Sequence, residues 1–88
     1  MTDELMEMVN AGMDAEVFMR SGAGKFLRDK AEYEILEATA LLVQADPEDA
    51  KINRELRNRI QVANMFLQWM RDAVDRGMAA QDAIKETE

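Results

Sequence analysis

A chain of 88 residues with 18 Asp and Glu against 11 Lys and Arg carries a net charge of −7. That length suits one domain, and the charge disfavours a nonspecific grip on nucleic acid or anionic lipid. Cys and His are both missing, which excludes disulfides, thiolate nucleophiles, His-based triads and the common zinc and di-iron ligand sets.

Hydrophobic residues at 48%, with one Pro and four Gly, fit a folded chain better than a disordered one. The first residues, Met1, Thr2, Asp3 and Glu4, form neither a basic leader nor a long apolar run. The expected setting is therefore a reducing cytoplasm, without a signal peptide or a bilayer span.

Residues 1–23 form an acidic, Met-rich segment. Asp3, Glu4, Glu7, Asp14 and Glu16 face no basic side chain over residues 1–19, and Leu5, Val9, Met13 and Val17 recur every four residues. The pattern predicts one or two short helices, with Thr2 and Asp14 as N-cap candidates and breaks near Gly12, Gly22 and Gly24. Met adapts to irregular surfaces, so this segment is read evenly as core filling or as a docking element. Its acidic polar face argues against a membrane role.

Between Ser21 and Lys25 the glycines invite a phosphate-loop reading. It fails because Met19 stands where the pattern needs Gly and Phe26 where it needs Ser or Thr. The stretch reads instead as an elbow between helices.

From Gly24 to Ala45 the apolar residues Leu27, Ala31, Ile35, Ala38, Leu42 and Ala45 recur at helical spacing, predicting a helix over 24–45. Pro47, after Asp46 and before Glu48 and Asp49, marks the next start, with Asp46 as N-cap and Pro47 in the first turn. Ile52, Leu56, Ile60, Ala63, Leu67, Met70 and Val74 carry that helix onward, and Gly77 stands where a left-handed C-cap would end it, giving 47–76.

So short a connection predicts an all-α fold built on an antiparallel hairpin over 24–77, with residues 78–88 as a short helical or frayed tail. A turn at 46 sets residue i near residue 92 − i, bringing Glu37, Glu34 and Glu32 opposite the stretch 55–60, so that the acidic block of the helix 24–45 faces the basic block that carries Lys51, Arg54, Arg57 and Arg59. The acids read as a solvated face opposite Arg54 and Arg57 rather than as paired catalytic carboxylates or hard-metal ligands. With Asn53 and Asn58 the basic run could contact phosphate, but the acidic surroundings make nucleic acid the weaker reading.

A second stripe, Val62, Phe66, Trp69 and Ala73, lies beside the first on the longer helix. Its cover is expected from the N-terminal segment through Met13, Val17 and Phe18, or from a second copy. The expected protein interface is thus Val62, Phe66, Trp69, Met70, Ala73, Phe18 and Met13, in a homo-oligomer forming a helical bundle. No catalytic residue, cofactor or metal is expected.

The run from Gly24-Lys25-Phe26-Leu27 through Ala31-Glu32, Asp46-Pro47-Glu48-Asp49 and Phe66-Leu67-Gln68-Trp69-Met70 to Gly77 resembles small all-helical proteins of tailed bacteriophages encoded near head and packaging genes. The resemblance covers roughly residues 20 to 84 and brings no catalytic or binding residues with it. It implies a viral origin and a part in virion assembly, in the host cytoplasm or in the virion, with a phage structural protein or a host protein as partner. The alternative reading is a small acidic phage inhibitor of a host nucleic-acid enzyme or defence complex. Its binding face would be Asp3, Glu4, Glu7, Asp14, Glu16, Glu32, Glu34 and Glu37.

Overall fold

A computed structural model describes residues 2–87. It is all-α, with three helices in chain order: α1 Thr2–Arg20, α2 Gly22–Gln44 and α3 Ala50–Thr87. No strand occurs among the described residues. Contacts divide the chain into an elbow unit, Met1–Lys25 with Gln68–Glu88, and a turn unit, Phe26–Leu67. The helix α3 contributes to both.

In the elbow unit α1 runs unbroken for 19 residues, with Asp3 and Glu4 in its first turn and Arg20 in its last, the charge order that a helix dipole favours. The expected break at Gly12 is absent, and Asp14 lies inside the helix rather than capping one. Gly12 is buried and faces Gly77: a Cβ built on Gly12 would lie 2.8 Å from the Gly77 Cα and 2.9 Å from the Ala73 carbonyl. Both glycines therefore serve close helix approach, which corrects the reading of Gly77 as a C-cap; α3 continues through it to Thr87. Residues 78–87 are accordingly part of α3, and Ala80 is buried; residue 88 of the expected tail lies outside the described residues.

The four-residue repeat of α1 also misplaces its inner face. A step of four overshoots one helical turn by about 40°, so a strict repeat drifts around the helix. The face that packs alternates steps instead, through Val9, Gly12 and Ala15, all buried, while Met13 and Val17 are 60% and 70% exposed.

A single residue, Ser21, separates α1 from α2. Its Oγ donates to the Phe18 carbonyl at 2.5 Å and accepts from the Gly24 N–H at 3.0 Å, while its carbonyl accepts from the Lys25 N–H at 2.9 Å. Ser21 thus caps α2, and α2 starts at Gly22 rather than at residue 24. A Cβ on Gly24 would sit 1.7 Å from the Phe18 carbonyl oxygen, so only glycine fits this elbow.

In the turn unit α2 and the first half of α3 run antiparallel, as the hairpin reading expects. Asp46 to Asp49 form a turn: the Asp49 N–H donates to the Asp46 carbonyl at 3.0 Å and the Glu48 N–H to Asp46 Oδ1 at 2.9 Å. Pro47 occupies the second turn position, for which its fixed φ is suited. The cap is Asp49, whose Oδ1 accepts from the Ile52 N–H at 3.1 Å. Asn53 Nδ2 closes the turn by donating to the carbonyls of Asp46 at 2.8 Å and Asp49 at 2.7 Å. The start of α3 therefore moves from 47 to Ala50, because an Asp-Pro pair serves a turn as readily as a helix start.

The core of the turn unit is Ala31, Ala38, Leu56 and Ala63, with Ala38 fully buried. These positions repeat every seven residues on each helix. Small side chains at such a seam let two helices approach closely, so little bulk lies between them.

Candidate interaction surfaces

The turn unit joins α2 to α3 through Arg59. Its Nε donates to Glu34 Oε2 at 2.9 Å and its Nη2 to Glu37 Oε1 at 2.9 Å. Lys30 Nζ lies 3.5 Å from the other Glu34 oxygen, and Tyr33 Oη donates to Glu37 Oε2 at 2.5 Å. The expected opposition of acidic and basic blocks is present, but through Arg59 rather than Arg54 or Arg57. The register has moved because the whole stretch 45–49, not one or two residues, lies between the helices.

The charges tune one another. The Arg59 guanidinium holds the Glu34 carboxyl below its ordinary value. The Tyr33 hydroxyl and then Arg59 do the same for Glu37. Donation to Glu37 raises the Tyr33 phenol, and the two carboxylates raise Arg59. All four groups reach solvent, so the cluster sets register more than stability. It also occupies Glu34 and Glu37, two of the eight acids assigned to a binding face; the third on this helix, Glu32, is exposed.

Beside this cluster an open trough of about 410 Å³ runs between α2 and α3, with Leu27, Val62, Ala63 and Phe66 on its walls and Arg59 and Glu34 at its polar side. Val62 is 59% exposed and Phe66 is half-buried. These are the two expected interface residues that the turn unit contains.

The elbow unit holds the other five. Trp69 is 62% exposed and Met13 is exposed, while Phe18, Met70 and Ala73 are half-buried. Met13 and Val17 point to solvent and so do not provide the cover expected of them. Asp3, Glu4, Glu7 and Asp14 are exposed and Glu16 is half-buried. Glu4 and Glu7 share with Met8, Ala11, Ala73 and Arg76 a groove of about 460 Å³.

One surface escapes the sequence reading. On α2 the residues Phe26, Leu36 and Val43 are 67%, 71% and 81% exposed, with Tyr33 beside them at 56%. All were visible as apolar residues, but a helix with one complete apolar stripe gives no reason to look for another on its opposite side.

No group of three or more His, Cys, Asp or Glu side chains among the described residues is placed to hold a metal ion. No described helix is long and apolar enough to cross a membrane. Compared with protein-family models, curated proteins and solved structures, the chain matches none.

Proposed function

We propose that this chain is a non-enzymatic protein–protein interaction protein of a tailed phage, acting in virion assembly or as a virion accessory. The viral assignment rests on the resemblance of residues 20 to 84. The interaction role rests on one observation: bulk is on the outside. Among the described residues the buried side chains are Val9, Ala15, Ala31, Ala38, Leu56, Ala63 and Ala80, whereas Val62 and Trp69 are more than half exposed. Large apolar and aromatic side chains held at a surface by rigid helices are what interface anchors are made of. The trough beside Val62 and Phe66 has the form that accepts an amphipathic helix, here one from a phage structural protein.

The inhibitor reading keeps one support, the exposed acids Asp3, Glu4, Glu7 and Asp14, which could stand where phosphates lie. Capture of the tagged full chain from phage-infected cells, with mass spectrometry of the bound proteins and of purified virions, separates the two. The assembly reading expects a virion protein that is lost with Val62→Glu and Trp69→Ala. Recovery of a host nucleic-acid enzyme, lost when the four acids are neutralised, would replace it.

A further inference from the structure

The outer face of α2 follows a heptad. Phe26, Tyr33 and Ala40 are seven residues apart, as are Asp29, Leu36 and Val43, and the two sets alternate at steps of three and four. This is the spacing of the two seam positions of a coiled coil. The buried Ala31 and Ala38 that face α3 occupy the opposite side of the same helix. A helix apolar on two opposite sides belongs in the interior of an assembly, yet every residue of this outer stripe is exposed.

We infer that this stripe is covered by the same stripe of a second copy, so that two turn units associate antiparallel about a two-fold axis, α2 against α2, into a four-helix arrangement. The inference stands on α2 alone and does not depend on a role in virion assembly.

Self-complementarity carries the argument. In an antiparallel pair each seam residue of one kind meets one of the other kind. Phe26 then meets the partner's Val43, and Tyr33 meets the partner's Leu36. Asp29 meets the partner's Ala40, a small side chain that leaves the carboxylate open to water. The apolar stripe is used in full, with no overhang at either end.

Charge selects the direction. In the antiparallel register Lys30 flanks the partner's Glu37, twice by symmetry, and adds to the charge attraction on a carboxylate that keeps its bonds to Arg59 and Tyr33 of its own chain. A parallel pair would set Glu32 against the partner's Glu37 and Asp29 against the partner's Asp29, placing like charges together. Lys30 is free to serve, because its contact with Glu34 is a loose one at 3.5 Å.

Area agrees. At their observed exposure, Phe26, Tyr33, Leu36 and Val43 leave open on the order of 500 Å² per chain, near the upper range for the largest apolar patch of a monomer. Two such faces remove at most about 1,000 Å², the lower limit for a biological interface, so the pair is a small one that dissociates on dilution.

The test is the mass of the full chain in solution by light scattering, with two variants and a cross-link. The native chain is expected at twice its 10.0 kDa. Leu36→Glu, at a position already 71% exposed, should halve that mass with helix content by circular dichroism unchanged, whereas Trp69→Ala should leave it alone. Because the chain has no Cys, Phe26→Cys and Val43→Cys chains can be mixed under glutathione disulfide. The antiparallel pair predicts mostly the mixed disulfide between the two variants. A native chain that is monomeric throughout the micromolar range overturns the inference. So does a dimer that survives Leu36→Glu, which would place the contact elsewhere, or a Val43→Cys chain that links chiefly to itself, which would mean parallel pairing. None of these results bears on capture of a virion protein through Val62 and Trp69.

Discussion

The two units join helices by different means. In the elbow unit the backbones of α1 and α3 touch at Gly12 and Gly77, and ten acids against five bases leave it at −5. In the turn unit an Ala seam and the Arg59 clamp bring α2 to α3, and eight acids against six bases leave it at −2. One unit is held by the absence of side chains, the other by small ones with a charged bridge. Both solutions push bulk outward, and that is why these three helices carry so many exposed apolar residues. Close approach at the seam and an apolar surface are two consequences of one choice of small residues.

Glycine substitutions should break the elbow unit hardest. Gly24→Ala places a Cβ 1.7 Å from the Phe18 carbonyl oxygen and 2.8 Å from the Met19 Cα, and because these neighbours are backbone no flexible side chain can give way. A loss of about 3 kcal/mol or more is expected in chemical denaturation. Gly12→Ala meets backbone at 2.8 Å and should cost about 1–3 kcal/mol, even though alanine favours a helix by nearly 1 kcal/mol. The clash outweighs the propensity because α1 and α3 must separate to admit the methyl group. Hydrogen exchange should rise first in residues 3–20 and 68–86. Stabilisation by Gly12→Ala would show that the glycines are incidental to the packing.

These glycines also mark where sequence reading stops. The inner faces of α2 and α3 were legible at their centres, where Ala31, Ala38, Leu56 and Ala63 are buried, but not at their ends, where Leu27 and Ile52 of the same stripes are 40% and 45% exposed. The turn at Asp46 and Pro47 was legible because its chemistry is local, although a turn and a helix start draw on the same residues. Gly12 and Gly77 were not. A glycine usually ends a helix, and nothing in a single chain announces that two of them, far apart in sequence, face each other. Of the candidate surface, Val62 and Trp69 are exposed, and their spacing marks them as large apolar residues beyond the first stripe of α3. The stripe of Phe26, Tyr33, Leu36 and Val43 was missed because its helix already had an inner face.

A cap substitution gives a milder comparison within the turn unit. Asp49→Ala removes the acceptor of the Ile52 N–H and should cost about 1 kcal/mol, the ordinary value of an N-cap. Asn53 still holds the turn through the Asp46 and Asp49 carbonyls, so the hairpin persists with a frayed first turn. Faster amide exchange confined to residues 50–54 is the expected sign. An effect as large as that of Gly24→Ala would mean that the cap, not the Ala seam, organises this unit.

The smallest effect is electrostatic and belongs to the turn unit alone. Glu34 and Glu37 ionise more readily in the fold than in the unfolded chain, because Arg59 and, for Glu37, Tyr33 stabilise their charged forms. A carboxyl lowered on folding adds stability that is fully present above its unfolded value, and that stability is lost as pH falls through the folded value. The native chain should therefore melt at a lower temperature as pH drops from about 5 to about 3, and salt should reduce the difference because the cluster is solvent-accessible. Arg59→Met removes the guanidinium while keeping an apolar stem, and it should reduce that slope without opening the hairpin, leaving the part of the Glu37 shift that Tyr33 supplies. A slope left wholly unchanged by Arg59→Met would assign the acid sensitivity to the Tyr33–Glu37 hydrogen bond, and the role of the guanidinium as the clamp of this helix pair would have to be redrawn.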